Sequence, residues 1–431
     1  MVANKTSGRV AVVSAARTPF AKASGALKKM HVTELAAAAM RRALDRGHWP
    51  LDAVEEVICG NVIMPADATN PARVSALRAG IDRDTPALTV QRNCASGMEA
   101  MTAGAMNILS GRREVVLAAG AESMSRAPLL LPEETTEPLT ALAKAKTLGA
   151  RLAAAVAFRA RHFKPIPSVM LGLTDPTCQL NMGQTAEILA REFNIGRDEQ
   201  DAYALESHRR AVAAAERLAE EIVPVFVPKD YEPVEADVGP RSNQTLEALA
   251  KLKPVFDRRD GTVTVGNACP ITDGAAAVLL MNEQRARAEG LEILGYVRDW
   301  SVAALDPARM GLGPVFAIDR LLQRTGMGLG DVDLFEINEA FAAQVLACLK
   351  AMDSKSFTDR HLDRTEPIGA LETDRLNVNG GAIALGHPVG ATGTRLILTL
   401  LMEMRRRQAA NGVAALCIGG GQGMAVLLEA A

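Results

Sequence analysis

The sequence predicts an α/β sandwich made of two similar halves, with a long insertion in the first half. Three observations support this fold class. Short apolar strands alternate with helical patterns, three patterns near the start of the chain recur in the same order near its end, and prolines interrupt regular structure in the middle. Alternating strands and helices are typical of sheets buried on both faces, so we expect largely parallel sheets covered by helices.

The chain is large enough for an extensive core. Its 431 residues correspond to three compact units or two large ones at ~150 residues per domain. Hydrophobic residues make up 48% of the chain, which excludes general disorder. The formal net charge is -2 and aromatic residues make up only 3%, so the chain lacks the charge and the stacking rings that nucleic-acid binding requires. We expect no nucleic-acid partner.

The first half shows the alternation most clearly, because β-branched runs and helical apolar spacing follow each other directly. The predicted elements are, in order, a strand at 10–13, a helix at 32–46, a strand at 57–60, a polar helix at 70–80, a strand at 87–90, a helix with apolar face Met98, Met101, Ala105, Ile108 and Leu109, and a strand at 115–120.

The second half repeats three of these patterns in the same order, which indicates an internal duplication. The repeats pair 51–60 with 329–338, 94–97 with 390–393, and 115–120 with 414–421. We therefore divide the chain into an N-terminal half, residues 1–285, and a C-terminal half, residues 286–431. The proline-rich segment at about 126–253 is predicted to be a loop domain inserted into the first half.

Part of this insertion is strongly basic. Residues 138–174 contain seven Lys, Arg or His residues and no acidic residue. Such a segment can be a solvated helix face, or a patch for a phosphorylated ligand, a partner subunit or a membrane surface.

The amino terminus and the longest apolar runs are used to predict the cellular compartment of the protein. From Met1 to Arg17 the chain contains no apolar stretch of signal-peptide length, and no later run approaches the ~18 apolar residues of a membrane span. We expect a cytoplasmic or matrix-type soluble protein.

Six cysteines lie far apart, with no CxxC pair for zinc or redox exchange, so no metal site is expected. Cys94 differs from the others because it follows a predicted strand and opens a helix. Backbone N–H groups and the helix dipole at such a junction favour the thiolate, which is the form of a cysteine nucleophile. A buried structural cysteine is the alternative interpretation.

His387 lies in a glycine-rich turn before the equivalent helix of the second half. Pro388 restrains its backbone, and the flanking glycines allow close approach of other groups. A histidine held in this way can take a thiol proton and then donate a hydrogen bond to a substrate oxygen. A turn histidine in solvent is the alternative.

Two further strand ends carry candidate groups. Cys417 ends an apolar strand before a glycine run that includes Gly419, so it is a candidate second acid and base if it meets Cys94. Asn338 also follows a strand and could bind a water or a carbonyl, and Glu339 could orient its neighbours.

Several common catalytic motifs are absent. The sequence has no GxxxxGK[ST] phosphate loop, no HExxH, no GxSxG elbow and no GxGxxG joining a strand to a helix. Nucleotide hydrolysis, zinc catalysis, serine-hydrolase chemistry and nicotinamide chemistry therefore lose their main sequence support.

Taken together, these motifs resemble the thiolases, the acyl-CoA:acetyl-CoA C-acyltransferases. The resemblance spans nearly the whole chain and includes the duplication. It is carried by residues 15–20, 93–97, 338–342, 386–388 and 417–421. It implies a layered α-β-α-β-α sandwich with an inserted loop domain.

The resemblance also implies the roles of individual residues. Cys94 would be the acyl-accepting nucleophile, His387 would activate it, and Cys417 would move the proton at the substrate α-carbon. One oxyanion site would consist of His387 and a water held by Asn338, and the other of the backbone N–H groups of Cys94 and Gly419. Coenzyme A would be a substrate, and no resident cofactor is implied.

Chain-length preference is left open by the departures from the family pattern. Pro270 follows Cys269 where many short-chain thiolases have a serine near the pantetheine arm, which resembles the β-subunit of the fatty-acid-oxidation trifunctional complex. Asn338, in contrast, is the short-chain form. The region of Met182 resembles the loop that faces the substrate, although a plain helix start fits it equally.

The resemblance favours a 3-ketoacyl-CoA thiolase of fatty-acid β-oxidation that binds acyl-CoA and CoA as a homodimer or homotetramer. The alternatives are a biosynthetic acetyl-CoA acetyltransferase, a ketoacyl-ACP synthase, and a non-catalytic thiolase-like lipid-transfer protein. The absence of a second catalytic histidine at Asn338 disfavours the synthase. The basic insertion predicts docking to a hydratase/dehydrogenase partner subunit or to a membrane surface.

Overall fold

The computed structural model of the chain describes residues 8–229 and 231–431. Residues 1–7 of the amino-terminal segment used for the prediction of location therefore lie outside the described residues. The strands are β1 (Val10–Arg17), β2 (Ala21–Lys22), β3 (Glu56–Gly60), β4 (Ala87–Val90), β5 (Val115–Ser123), β6 (Leu129–Leu130), β7 (Ile166–Pro167), β8 (Val225–Phe226), β9 (Pro233–Val234), β10 (Thr272–Asn282), β11 (Gly295–Ala304), β12 (Leu334–Ile337), β13 (Asn411–Ile418) and β14 (Gln422–Glu429).

The helices cover the sheet and build the insertion. They are α1 (Val32–Arg46), α2 (Pro71–Arg78), α3 (Ser96–Leu109), α4 (Thr136–Lys144), α5 (Leu148–Val156), α6 (Ser168–Gly172), α7 (Met182–Glu192), α8 (Arg197–Ala213), α9 (Ala215–Ala219), α10 (Leu246–Ala250), α11 (Glu283–Ala288), α12 (Gly313–Thr325), α13 (Ala342–Met352), α14 (Lys355–His361), α15 (Ala382–Leu385) and α16 (Val389–Arg407).

The strand order confirms the duplication. The first half has the order β1-β10-β5-β3-β4, and the second half has β11-β14-β13-β12 followed by one parallel bridge from Phe335 to Leu376. The directions of corresponding strands agree as well. The two halves join where β1 pairs with β11 over three residues at each strand.

The prediction of largely parallel sheets is wrong. Only β3 with β4, β3 with β5, and β12 with β13 are parallel pairs of named strands, whereas β10 and β14 run antiparallel to both of their long neighbours. Helices cover both faces, so strands of either direction are buried along almost their whole length and are apolar in their central parts. Continuous apolar runs therefore did not distinguish the two arrangements.

The layers follow from which helices contact which strands. α1 and α2 pack on the outer face of the first sheet, and α12 packs on the outer face of the second. α16 contacts β5 and β10 of the first half as well as β12 and β13 of the second, and it packs against α3. α3 and α16 therefore form a central helical layer between the two sheets, which gives the α-β-α-β-α order.

Local sequence explains the start and the buried face of α1. His31 caps the helix by accepting from the N–H of Thr33, and the carboxylate of Glu34 accepts from the N–H of His31. Leu35 and Met40 are among the apolar residues buried at helical spacing. In α3 the predicted apolar face is buried except for Leu109, which is exposed because the helix ends there.

The chain between β5 and β10 carries α4–α10 and the two short strand pairs β6–β7 and β8–β9. α8 packs against α13 and α15 and so covers the second half, whereas α4 and α5 pack mainly against each other. Among the described residues, no helix is long and apolar enough to cross a membrane.

Candidate active site

Two glycine-rich helix starts meet in the central layer. A Cβ built on Gly97 of α3 would lie 2.8 Å from the carbonyl oxygen of Gly390, and one on Gly393 of α16 would lie 2.5 Å from the backbone nitrogen of Met98. Only glycine permits this approach, because either Cβ would overlap the opposite backbone. The first turns of α3 and α16 therefore touch.

The predicted nucleophile and base lie just before these touching turns. Cys94 lies two residues before Ser96, the first residue of α3, and His387 lies two residues before Val389, the first residue of α16. Each residue thus precedes the central helix of its own half by two positions. The structure brings both to the junction of the halves, where the sequence predicts a site.

The turn that carries Cys94 is tied to the glycine loop after β13. Asn93 adopts a left-handed backbone conformation with φ of 43°, which asparagine tolerates better than most residues. Its Nδ2 donates a 2.8 Å hydrogen bond to the carbonyl oxygen of Gly419. The N–H groups of Gly419 and of Cys94 itself are directed at the Cys94 sulfur and lower its pKa.

The prediction that the helix start favours the thiolate of Cys94 is wrong for the free site. Burial raises the pKa of the Cys94 thiol, and the negative charge of Glu122 raises it further, against the two backbone donors. The net shift is upward because loss of hydration disfavours the charged sulfur more than the donors stabilise it. Cys94 therefore rests as a thiol and requires a base.

His387 is neutral near pH 7, as a base that accepts the Cys94 proton must be. Its pKa is lowered to about 3 by burial and by the positive charge of Arg395. Nδ1 lies 2.7 Å from the hydroxyl oxygen of Thr392, and that hydroxyl donates to the carbonyl oxygen of Pro388. Because Thr392 has already given away its one proton, it accepts from Nδ1–H, which leaves the lone pair on Nε2.

Asn338 lies beside the reactive side of this ring. Its Nδ2 is 3.5 Å from His387 Nε2, and its backbone N–H donates to the carbonyl oxygen of Ala415 on the neighbouring strand. Its Oδ1 is buried and has no hydrogen-bond partner among the described residues. A buried, unpartnered amide oxygen of this kind is suited to hold a water or a substrate donor.

Cys94 affects the pKa values of two other cysteines, Cys417 and Cys269. The pKa of Cys417 is raised well above its usual value by burial and by Cys94, and that of Cys269 is raised to about 12 by burial and by Cys94. The structure therefore brings Cys417 close to Cys94, as the duplication predicts, and adds Cys269. Met182 begins α7 and packs with its sulfur against Gly419.

Glu339 organises the loop that covers the site. Its buried carboxylate accepts hydrogen bonds from the hydroxyls of Tyr203 and Ser207, from the side-chain amide of Asn377 and from the N–H of Ile383. These partners belong to α8, to the segment after Leu376 and to α15. Glu339 thus fixes the insertion and the end of β12 relative to the turn that carries His387.

Glu122 is a site residue that the sequence analysis missed. Its buried carboxylate accepts from Asn61 Nδ2 at 3.0 Å and from the backbone N–H groups of Val62, Ile63 and Gly390, each at 3.1 Å. It therefore links the end of β3 to the first turn of α16. The available signal was one acidic residue at the end of the otherwise apolar strand β5.

A cavity of about 1020 Å³ reaches this region from the insertion. Cys269 and Thr272 line it on the side of the site, and Leu129 and Met170 line it on the side of the insertion. Thr272 also contacts the site directly, because a Cβ on Gly386 would lie 2.4 Å from its methyl carbon. The lining is mostly apolar, which suits a hydrophobic substrate portion.

Known proteins share this fold. The family model described as the thiolase N-terminal domain matches residues 10–284, and the model of the thiolase C-terminal domain matches residues 291–430. An acetyl-CoA acetyltransferase of Pseudomonas aeruginosa is 43% identical, with 97% of this chain and 98% of the relative covered. A 3-ketoacyl-CoA thiolase of Pseudoalteromonas translucida is 39% identical, with 98% and 97% covered.

A solved structure extends the comparison to three dimensions. The crystal structure of human mitochondrial 3-ketoacyl-CoA thiolase in complex with CoA has a TM-score of 0.84 and 39% identity, and covers 98% of each chain. The resemblance deduced from the sequence motifs is therefore confirmed at the level of the family. The chain belongs to the thiolase family and is an acyltransferase of that family.

Proposed function

We propose that this protein is a 3-ketoacyl-CoA thiolase of fatty-acid β-oxidation, which cleaves a 3-ketoacyl-CoA with free CoA through an acyl-Cys94 intermediate. The observation that carries the proposal is the neutral His387 ring beside Asn338, whose side-chain oxygen has no partner among the described residues. Both lie close to the touching helix starts that Cys94 and His387 precede. Relatives named 3-ketoacyl-CoA thiolase support it at the level of the name.

In the first half-reaction, His387 Nε2 takes the proton of the Cys94 thiol. The thiolate attacks the 3-keto carbon, and collapse of the resulting tetrahedral adduct breaks the C2–C3 bond. Acetyl-CoA leaves as an enolate that takes a proton at C2 from the Cys417 thiol. The Cys94 thioester retains the shortened acyl group, and His387 holds its proton close to the developing charge.

In the second half-reaction, the Cys417 thiolate takes the proton of incoming CoA. The CoA sulfur attacks the acyl-Cys94 carbonyl, and Cys94 leaves as a thiolate that recovers its proton from His387. The two thiols and the imidazole return to their starting states, so atoms and charges balance. Release of the first product before CoA acts predicts ping-pong kinetics.

Two sets of donors would stabilise the oxygens that become negative. The N–H groups of Cys94 and Gly419 already converge on the sulfur of Cys94, to which the acyl group would be bonded, and would form the first set. His387 and a water on Asn338 Oδ1 would form the second set. Loss of one such donor is expected to raise the transition-state free energy by ~3 to 4 kcal/mol.

A mass-spectrometric experiment tests the acyl-enzyme. Incubation with acetyl-CoA is expected to add one acetyl group to Cys94, and Cys94→Ala is expected to abolish both labelling and turnover. Cys178→Ala, a partly exposed cysteine outside the site, is the control and should keep both. Unlabelled Cys94 would favour the non-catalytic lipid-transfer protein.

The second candidate is a biosynthetic acetyl-CoA acetyltransferase, which joins two acetyl-CoA molecules. Relatives with that name favour it. Values of kcat/KM for acetoacetyl-CoA and 3-ketohexadecanoyl-CoA would discriminate the two, and negligible activity on the long chain would contradict β-oxidation.

CoA would approach the site along the same cavity. Lys22 and Arg241 are cationic residues of its lining, and they support binding of the CoA phosphates at its outer end. Arg241→Ala is expected to raise KM for CoA about tenfold with a small change in kcat, because the phosphates do not take part in bond breaking.

The cytoplasmic location and the partner subunit stay predictions of the sequence.

We also propose that the protein forms at least a homodimer through β4. This strand is the last of the first half, and Leu88 on it is exposed, so the strand leaves an edge available for pairing. Leu88→Lys is expected to yield a smaller species in light scattering coupled to size exclusion. An unchanged mass would contradict this role of β4.

A further inference from the structure

The exposed apolar side chains are concentrated in one part of the insertion, residues 129–171, which we call the insertion patch. Eleven of the twenty-four large apolar side chains that are exposed in the described residues belong to it. The patch is only about a tenth of the chain, so the concentration is far above an even distribution. Contiguous exposed apolar surface of this kind marks an interaction site.

Helix α5 shows the pattern most clearly. Leu148, Leu152 and Val156 follow each other at intervals of four, so they form one stripe along the helix, and they are 74%, 59% and 73% exposed. Ala154, on another side of the helix, is the one buried residue of α5. The helix therefore directs its small side chain inward and its large apolar side chains into solvent, opposite to an ordinary surface helix.

Positive charge accompanies the stripe. The Lys and Arg residues of the patch are all exposed, and they are Lys144, Lys146, Arg151, Arg159, Arg161 and Lys164. The acidic residues of the patch are confined to 133–137, and one of them, Glu134, pairs with Arg161 at 2.9 Å. From residue 138 to the end of the patch no carboxylate balances the other five cations.

We propose that the insertion patch docks this protein on the surface of an anionic lipid bilayer. Long basic side chains that flank an apolar stripe reach lipid phosphates while the stripe enters the boundary of the acyl chains. A second copy of this chain fits less well, because its insertion patch carries the same cations and the two patches would repel each other. Charge complementarity therefore selects an anionic surface as the occupant.

Docking would also place the cavity mouth at the membrane. Leu129, Pro167 and Met170 belong to the patch and line the cavity that leads to Cys269. The stripe residues of α5 do not line it, so they can be changed without altering the cavity wall. The inference does not depend on the proposed reaction, and it can be tested by binding alone.

Co-sedimentation of the full chain with vesicles tests the proposal. We expect binding to vesicles of equimolar phosphatidylcholine and phosphatidylglycerol, little binding to phosphatidylcholine alone, and release as salt is raised. The triple variant Leu148→Ser/Leu152→Ser/Val156→Ser is expected to lose binding and to keep kcat/KM. Phe226→Ser/Leu246→Ser, which replaces exposed apolar residues outside the patch, is expected to bind like the parent protein.

Charge removal gives a second, graded test. Lys144→Gln, Arg151→Gln and Arg159→Gln are each expected to weaken binding to the anionic vesicles about fivefold, and the triple variant on the order of a hundredfold. Failure to bind anionic vesicles, or equal binding to neutral ones, would overturn the proposal. Dissociation of an oligomer by the Leu148→Ser/Leu152→Ser/Val156→Ser change would assign the patch to a second copy instead.

Discussion

At the scale of single residues, burial sets the resting state of the site. It keeps the Cys94 sulfur protonated and the His387 ring neutral, because neither a thiolate nor an imidazolium is hydrated there as it would be in water. Transfer of the thiol proton to His387 creates a thiolate and an imidazolium, and these opposite charges stabilise each other. The pair therefore acts as a thiol and a base until substrate arrives.

Glu122 is expected to modulate the reactivity of Cys94. Its charge raises the pKa of the thiol, so Glu122→Gln is expected to shift the pH profile of Cys94 alkylation by iodoacetamide downward. Glu99→Gln is the matched control, since Glu99 lies in the first turn of α3, the helix that follows Cys94, but pairs with Arg92. An unmoved profile in Glu122→Gln would show that its charge does not reach the sulfur.

His387 is expected to contribute to acid sensitivity. Its pKa is about 3 in the folded protein, below its usual value of 6.5, so its contribution to stability is present above pH 6.5 and is lost as pH falls toward 3. We expect the parent protein to lose about 3 kcal/mol more than His387→Gln between pH 7 and pH 4.5 in urea unfolding. The exposed His361→Gln should behave like the parent, and equal losses in all three proteins would exclude this role.

At the scale of elements, the crossing of α3 and α16 determines how Cys94 and His387 meet. Two close approaches show this: a Cβ on Gly120 would lie 2.2 Å from the carbonyl oxygen of Gly390, and one on Gly97 would lie 2.6 Å from Thr394 Oγ1. Backbone packed against backbone leaves little freedom for adjustment. The catalytic geometry is thus a consequence of helix packing more than of the loops themselves.

Gly393→Ala tests this crossing. The new methyl group would lie 2.5 Å from the Met98 nitrogen, so the helices must separate, and we expect a loss of about 1–3 kcal/mol of stability together with a fall in kcat of at least tenfold. Gly149→Ala in α5 is the control, because nothing lies within 4 Å of its Cβ, and it should be neutral or stabilising by ~0.5 to 1 kcal/mol. Equal effects in urea unfolding and initial-rate assays would contradict the packing argument.

At the scale of the whole molecule, a buried ionic cluster joins the insertion to both halves. Arg17, at the end of β1, donates to Glu221 at 2.8 Å and to both carboxylate oxygens of Asp237 at 2.7 Å. Glu221 also accepts from Thr399 of α16 at 3.1 Å. The cluster therefore holds the insertion against the first half and the central helix at once.

Arg17→Met is expected to reduce the free energy of unfolding by about 3–5 kcal/mol, because Glu221 and Asp237 then remain buried without their cation. The double variant Arg17→Met/Glu221→Gln should recover part of the loss by removing one buried charge. Arg41→Met, which breaks an exposed pair with Asp45, should change stability by less than about 1 kcal/mol. Urea unfolding of the three variants checks these expectations, and a small loss in Arg17→Met would contradict them.

The sequence by itself determined the alternation of strands and helices, the duplication, the family and the identity of the candidate residues, because periodicity, repeated patterns and short motifs are local properties of the chain. Strand direction, the resting protonation of Cys94 and the role of Glu122 were decided only by the tertiary structure. A helix start favours a thiolate wherever water can reach it, but desolvation depends on which distant segments cover the sulfur. The partners of Glu122 come from positions 61–63 and 390, and only folding brings those positions together.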